Sequence, residues 1–160
     1  GKSLISNRRH FRKSQGFTLI EALVAMVIFS IGFSGLYFFF TISQRAIVSA
    51  EKKMHLNLMA DKIFQTIANE SKRSITDALN PFVTPSNYSG SLAACNYAAT
   101  DIRQSWCLDL SGLVGPFNSS SGLEARQVDV LSDSSNLIVN ITLVTEGGAV
   151  KSYYTRKIRP

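Results

Sequence analysis

The stretch that decides the fold is Gly16-Phe17-Thr18-Leu19-Ile20-Glu21-Ala22-Leu23-Val24-Ala25-Met26-Val27-Ile28-Phe29, and the apolar composition continues beyond it to about Ile42. Between Phe17 and Gln44, Glu21 is the one charged side chain. A helix needs roughly 20 predominantly apolar residues to cross a bilayer, so this run predicts a membrane-spanning helix. A carboxylate inside lipid is costly, and Glu21 is therefore a candidate functional residue.

Residues 1–16 form a basic leader without any acidic side chain. The leader holds Lys2, Arg8, Arg9, Arg12 and Lys13. Residues 17–160 keep 12 basic and 11 acidic side chains, so the formal charge of +6 on the whole chain belongs almost entirely to the leader. Basic flanks of membrane helices stay in the cytoplasm, which places the rest of the chain on the outer side of the membrane.

The basic leader, the Gly16-Phe17 junction and the Thr18-Leu19-Ile20-Glu21 sequence that opens an apolar helix resemble the N-terminus of type IV pilins. This family includes major pilins, minor pilins and the pseudopilins of type II secretion. The resemblance implies a membrane peptidase that cuts after Gly16 and methylates the new amino group of Phe17. A secretory signal is cut after its apolar segment instead, so here the mature protein would keep the helix.

The resemblance further implies that Glu21 pairs with the N-terminal amine of a neighbouring subunit in a filament. Physical chemistry supports this role, because a nearby cation stabilises the charged form of a carboxylate that lipid would otherwise destabilise. The alternative is that Glu21 simply lies near the lipid headgroups, four residues past Phe17.

The helical pattern continues into the polar part of the chain. Apolar residues at the i, i+3, i+4 and i+7 positions predict one buried stripe, made of Leu56, Met59, Ala60, Ile63, Phe64 and Ile67. We predict one helix from Phe17 to about Ser74, with a membrane or filament-core half over 17–44 and an amphipathic half over 45–74. A head domain over 45–160 would cover the amphipathic half.

A loop-rich connector over 75–122 and a β-meander over 123–160 complete the predicted head. Within the connector, Asp101–Trp106 and Leu108–Leu113 favour a short helix, and Asn118–Gly122 favours a turn. The meander consists of strands over Gln127–Leu131, Leu137–Val144 and Ala149–Ile158, in which apolar residues alternate with polar ones. The predicted class is α+β, a long N-terminal helix packed on a small antiparallel sheet, which is the pilin architecture.

The two cysteines, Cys95 and Cys107, predict a disulfide, since the head would lie outside the cytoplasm. The bond would close a loop of 13 residues and contribute about 3 kcal/mol on the chain-entropy model. Two free thiols are the alternative.

No catalytic site, metal site or cofactor is expected. His10 lies in the leader and His55 on the border of the helix stripe, so a serine or cysteine nucleophile would lack a positioned base. Glu124, Asp129 and Asp133 do not have the spacing of a calcium loop. We therefore expect a protein that is not an enzyme.

The C-terminal strand leaves two interpretations open. Its basic residues alternate with tyrosines and could contact phosphates and bases of a nucleic acid: Lys151, Tyr153, Tyr154, Arg156, Lys157 and Arg159. Alternatively, they form the solvent face of an edge strand, where lysines oppose aggregation. We expect the edge strand and keep nucleic acid as the alternative partner.

The function expected from the resemblance is that of a minor pilin, most like the PilV type, at or near the tip of a type IV pilus. The subtype is suggested by Ile31-Gly32-Phe33-Ser34-Gly35, by Cys95 and by the Asp101–Trp106 region. Prepilin peptidase and other pilins would be its partners. The close alternative is a minor tip pseudopilin of type II secretion, and a more distant one is a membrane-anchored enzyme or binding domain that never polymerises.

Overall fold

A computed structural model describes Gly16 and residues 18–160 of the chain. The chain divides into two compact units, of which the first ends at Gln44 and the second runs from Arg45 to Pro160. Helix α1, Leu19–Glu70, supplies residues to both units. Phe17, where the helix was predicted to begin, lies outside the described residues.

The first unit consists of the apolar part of α1. None of its most apolar 18-residue window is buried. Within the described residues, α1 is the one helix that is long and apolar enough to cross a membrane. Side chains of this kind are costly to leave in contact with water, so this part of the helix is suited to a nonpolar environment, which the described residues do not supply.

Helix α1 ends at Glu70, four residues before the predicted end near Ser74. Beyond it the backbone tightens, because Lys72 N–H donates to the carbonyl of Asn69 at 3.2 Å rather than to one four residues back. The amide of buried Asn80 then donates to the carbonyl of Arg73 at 2.8 Å. Asn80 therefore holds the turn that follows the helix, with partners that local sequence does not reveal.

The second unit contains one antiparallel sheet of four strands in the order β1-β2-β3-β4. These strands are β1 (Gly90–Ser91), β2 (Ala125–Asp133), β3 (Asn136–Thr145) and β4 (Val150–Ile158). The prediction of three strands was incomplete, because the two-residue β1 is too short to carry an alternating pattern. It pairs with β2 through Gly90 opposite Val128.

A second helix, α2 (Ile102–Val114), crosses the connector without a break. It combines the two short segments that the sequence favoured as helical. Its N-cap, Asp101, accepts a hydrogen bond from the backbone N–H of Arg103 at 2.9 Å. The predicted turn at Asn118–Gly122 contains one 3₁₀ turn, Ser119–Ser121.

One hydrophobic core joins the second part of α1, helix α2 and the inner face of the sheet. Five of the six predicted stripe residues of α1 are buried, and Phe64 packs at the edge of the core. The inner face of β3 is contributed by Leu137, Val139, Ile141 and Leu143, all buried as the alternation predicted. The predicted α+β class, a long helix packed on a small antiparallel sheet, is confirmed.

Arg103 connects α2 to the connector. Its guanidinium donates to the carbonyl of Ser89 at 2.8 Å, pairs with Asp101 at 2.7 Å and lies 4.3 Å from the centroid of the Tyr97 ring. Hydrogen bonds from Arg103 hold the pKa of Asp101 below its usual value. This cluster orders the backbone that leads into β1.

Arg126 is a buried cation without a carboxylate partner in the described part of the chain. It is 3% exposed and donates to the carbonyl of Gly115, the C-cap of α2, at 2.7 Å. Burial lowers the pKa of Arg126 from its usual high value. A cation at a helix C-terminus is favourable, because unpaired carbonyls there carry partial negative charge. Arg126 therefore attaches the end of α2 to β2.

Two glycines provide a matched test of this packing. A Cβ at Gly90 would meet the hydroxyl of Tyr97 and would require φ of +152°, whereas a Cβ at Gly112, in α2, meets no atom within 4 Å. We expect Gly90→Ala to destabilise the head by about 2 kcal/mol. Gly112→Ala should stabilise it by about 0.5–1 kcal/mol, because alanine favours the helix. Thermal unfolding followed by circular dichroism checks both, and equal effects of the two variants would contradict the described packing.

Candidate assembly site

The candidate assembly site is the first turn of α1, where Thr18 and Glu21 cap the helix reciprocally. The backbone N–H of Thr18 donates to Oε2 of Glu21 at 3.2 Å, and the N–H of Glu21 donates to Oγ1 of Thr18 at 3.2 Å. This arrangement is a capping box, which satisfies two backbone donors that a helix N-terminus leaves without partners. The first helical hydrogen bond follows at once, from Ala22 N–H to the carbonyl of Thr18.

The capping box uses one carboxylate oxygen of Glu21 and leaves the other accessible. Oε1 accepts no hydrogen bond from the described residues, and the side chain is exposed. Because a carboxylate can accept several hydrogen bonds, Glu21 can cap its own helix and still receive a second donor. The site is thus built to present a negative charge beside the start of the helix.

The surroundings of Glu21 are apolar and contain no opposite charge within the first unit's described residues. Leu19 and Ile20 are exposed beside it. Farther along the helix, the hydroxyl of Ser30 donates to the carbonyl of Met26 at 2.7 Å, and that of Ser34 donates to the carbonyl of Ser30 at 2.8 Å. Glu21 is the one charged side chain among the described residues of this unit, and no cation there pairs with it.

The predicted cleavage site can be located only in part. Gly16 is exposed and lies outside the helix, as a peptide bond accessible to a peptidase must. Phe17, the residue predicted to become the methylated N-terminus, lies outside the described residues, as does the rest of the basic leader.

The disulfide joins Cys95 of the connector to Cys107 of α2, with their Cα atoms 5.4 Å apart. Cys107 is buried in the core, and the Ser111 hydroxyl lies 3.9 Å from the sulfur of Cys95. The bond restrains the connector where it approaches α2.

The acidic residues considered as metal ligands are separated in the structure and engaged elsewhere. Glu124 accepts from the backbone N–H of Gly147 at 3.4 Å, Asp129 from the Gln127 amide at 3.0 Å, and Asp133 lies 3.5 Å from the ammonium of Lys157. In the described part of the chain, no group of three potential ligands forms a metal site. His55 is half-buried, 3.6 Å from Glu51.

The strand alternation divides the basic and aromatic residues at the C-terminus between two faces. Lys151, Tyr153 and Lys157 lie on the outer face of β4. Tyr154 and Arg156 lie on the inner face, where both approach the ring of Phe64 at centroid distances of 5.5 and 5.8 Å. The interleaved patch suggested by the sequence is therefore not one surface.

The capping role of Thr18 was not predicted from the sequence, although Thr18 was recognised as part of the N-terminal motif. Its signal was present, because threonine three residues before a glutamate at the start of an apolar run is the capping-box pattern. Arg103 and Arg126 could not have been found in this way, since their partners come from distant parts of the chain.

Comparisons with known proteins agree with this geometry at the N-terminus. Residues 11–37 match a family model described as the prokaryotic N-terminal methylation motif. Neither the comparison with curated proteins nor that with solved structures returned a match. The motif supports a general role as a type IV pilin or pseudopilin, and it implies processing by prepilin peptidase and assembly with other pilins. Such proteins are typically structural rather than catalytic.

Removing the Thr18 hydroxyl tests the capping box. Thr18→Val should lose about 1 kcal/mol of capping free energy, so that the amide hydrogen of Glu21 exchanges about fivefold faster. Thr18→Ser keeps the hydroxyl and should preserve protection. Hydrogen exchange of the full chain in detergent micelles, followed by NMR, provides the measurement. Unchanged exchange in Thr18→Val would contradict the reciprocal bonds.

Proposed function

We propose that the protein is a minor pilin that is stored in the inner membrane and then incorporated at or near the tip of a type IV pilus. The observation that carries this proposal is a single carboxylate, Glu21, at the capped start of an apolar helix within a matched methylation motif. The subunit would serve pilus assembly or initiation, with adhesion, twitching motility or DNA uptake as roles of the finished filament.

In the precursor, the basic leader stays in the cytoplasm, residues 17–44 cross the inner membrane once, and the head lies in the periplasm. The charge distribution supports this orientation, because basic residues favour the cytoplasmic side. Prepilin peptidase would cut between Gly16 and Phe17 and methylate Phe17. After assembly the head would lie on the pilus at the cell surface.

During assembly, the N-terminal amine of one subunit would pair with Glu21 of its neighbour. The free Oε1 supports this step, since the cap occupies only Oε2. A pair of this kind fixes the axial register of two helices, because leaving the carboxylate unpaired in an apolar environment costs a few kcal/mol. The carboxylate would thus act within and between subunits at the same time.

The PilV-type assignment belongs to this proposal and rests on features of modest specificity. They are the Ile31–Gly35 segment, the cysteine at 95 and the region from Asp101 to Trp106, which the structure folds into the N-cap and first turns of α2. A minor tip pseudopilin of type II secretion is the second candidate, because its N-terminal chemistry is the same. Neighbouring genes distinguish the two, since a retraction motor accompanies pili and a secretion ATPase with exoprotein substrates accompanies the secretion system.

The processing step is tested by the intact mass and N-terminal sequence of protein taken from native membranes and sheared filaments. We expect a chain that begins at N-methylated Phe17. A Gly16→Trp variant is the matched control and should retain residues 1–16. A native chain that retains the leader would overturn the filament proposal in favour of a signal-anchored protein.

The pairing step is tested by separating the charge of Glu21 from its capping role. Glutamine can occupy the same capping position, so Glu21→Gln removes the charge and keeps the cap, whereas Glu21→Ala removes both. We expect normal processing of both variants and a loss of incorporation of at least about tenfold in each, since an unpaired group in lipid costs a few kcal/mol.

Thr18→Val is the control for this experiment, because it weakens the cap and keeps the charge. It should enter filaments nearly as well as the unaltered chain, as quantified by immunoblots of sheared pili. Normal incorporation of Glu21→Gln together with failure of Glu21→Ala would show that capping, not pairing, is the role of Glu21.

A further inference from the structure

The outer face of the sheet, opposite the core, carries a set of polar side chains around one exposed aromatic ring. Because successive side chains of a strand point to opposite faces, this surface is defined by alternate residues of three neighbouring strands. Two cross-strand rows lie at its centre, with Tyr153 and Thr155 exposed and the other four residues partly exposed: Asp129–Asn140–Thr155 and Gln127–Thr142–Tyr153. We call these six residues the outer-face site.

Tyr153 is the aromatic component of the outer-face site. Its side chain is 67% exposed. By contrast, Tyr154 on the inner face packs against Phe64 and donates to Asp61 at 3.4 Å. An exposed tyrosine on a rigid strand presents a large, flat surface at low entropic cost, with a hydroxyl available for hydrogen bonding.

The polar side chains around Tyr153 have unused hydrogen-bonding capacity. Among the described residues, the side chains of Asn140, Thr142 and Thr155 make no hydrogen bond to the protein, and Gln127 donates to Asp129 at 3.0 Å. Amides and hydroxyls both donate and accept, whereas the carboxylate of Asp129 accepts. This mixture complements a ligand that offers many hydroxyl groups.

The charges that flank the outer-face site are balanced. Lys157 lies 3.5 Å from Asp133 at one end of the face, and Lys151 and Asp129 add one charge of each sign. Nucleic-acid affinity depends on unneutralised cations that replace the counterions of phosphates. Asp129, in the central row, would oppose a phosphate backbone, so the surface fits a neutral ligand better than a polyanion.

We propose that the outer-face site binds a neutral oligosaccharide, with Tyr153 stacking on the apolar face of a sugar ring. Asn140, Thr142, Thr155 and the Gln127–Asp129 pair would bind its hydroxyl groups. The inference goes beyond the minor-pilin proposal and does not require filament assembly, because all six residues belong to the second unit of a single chain.

The test uses the full chain in phosphatidylcholine nanodiscs, which avoids detergents that carry sugars. The probes are immobilised hexasaccharides of glucose, galactose, mannose and N-acetylglucosamine, with a 15-residue oligothymidine as the polyanion. We expect saturable binding to at least one hexasaccharide. Tyr153→Ser and Asn140→Ala should each weaken it about tenfold or more, as removal of a central contact does.

Matched variants distinguish the proposal from its rivals. Tyr154→Phe alters the opposite face and should leave hexasaccharide affinity within about twofold of the unaltered chain. Lys151→Ala should also leave this affinity within about twofold, because a neutral ligand does not depend on the lysine charge. Two results would overturn the proposal: no saturable binding to any hexasaccharide, or binding that Tyr153→Ser and Asn140→Ala leave unchanged. Oligothymidine binding that Lys151→Ala and Lys157→Ala abolish would replace it with a nucleic-acid surface. The outcome is independent of Glu21, so failure here leaves the minor-pilin proposal intact.

Discussion

Burial of the apolar stripe of α1 under the sheet is the interaction on which the head depends. Leu56, Met59, Ala60, Ile63 and Ile67 are all buried, and they meet the inner face of β3 in one core with α2. Burying each large side chain contributes about 1.5–3 kcal/mol, which exceeds the roughly 0.5–1.5 kcal/mol of a typical neutral hydrogen bond. Polar contacts then help to fix how α1 lies against the sheet. For example, the hydroxyl of Ser152 in β4 donates to the side-chain oxygen of Asn57 in α1 at 2.7 Å.

The two parts of α1 have different surroundings in the folded chain. After Arg45 its stripe is satisfied by the head, whereas the apolar residues before it remain exposed in the folded chain. Several polar side chains in that earlier part are bonded within the helix, among them Ser30 and Ser34, and the capping box does the same for the first turn. The free carboxylate oxygen of Glu21 is informative, because no other described residue of this segment carries a charge.

Much of the fold was predictable because its signals are local and periodic. The stripe of α1 repeats at helical spacing, and the inner residues of β3 alternate, so both could be assigned before any coordinates were known. The N-terminal motif was likewise predictable, since its residues are consecutive. Element bounds were less exact: α1 ends at Glu70, and the backbone N–H groups of Lys72 and Arg73 there donate to carbonyls three residues back rather than four.

What could not be predicted depends on residues that are distant in sequence. Strand β1 exists only because Gly90 and Ser91 pair with β2, and Arg126 is buried only because the end of α2 lies beside it. The neighbours of Tyr153 in the outer-face site follow from strand register, which places Thr142 and Gln127 beside it.

The separation of 95 positions between Asn57 and Ser152 also has a consequence in time. The stripe of α1 is synthesised early, but β3 and β4, which cover it, follow about 80–100 residues later, and such distant contacts form slowly because long loops must close first. During that interval the nascent chain carries two exposed apolar segments, and only the first is long and apolar enough to cross a membrane. In the proposed orientation, the second segment would emerge on the periplasmic side of the membrane and would have to be shielded there until β3 and β4 are synthesised.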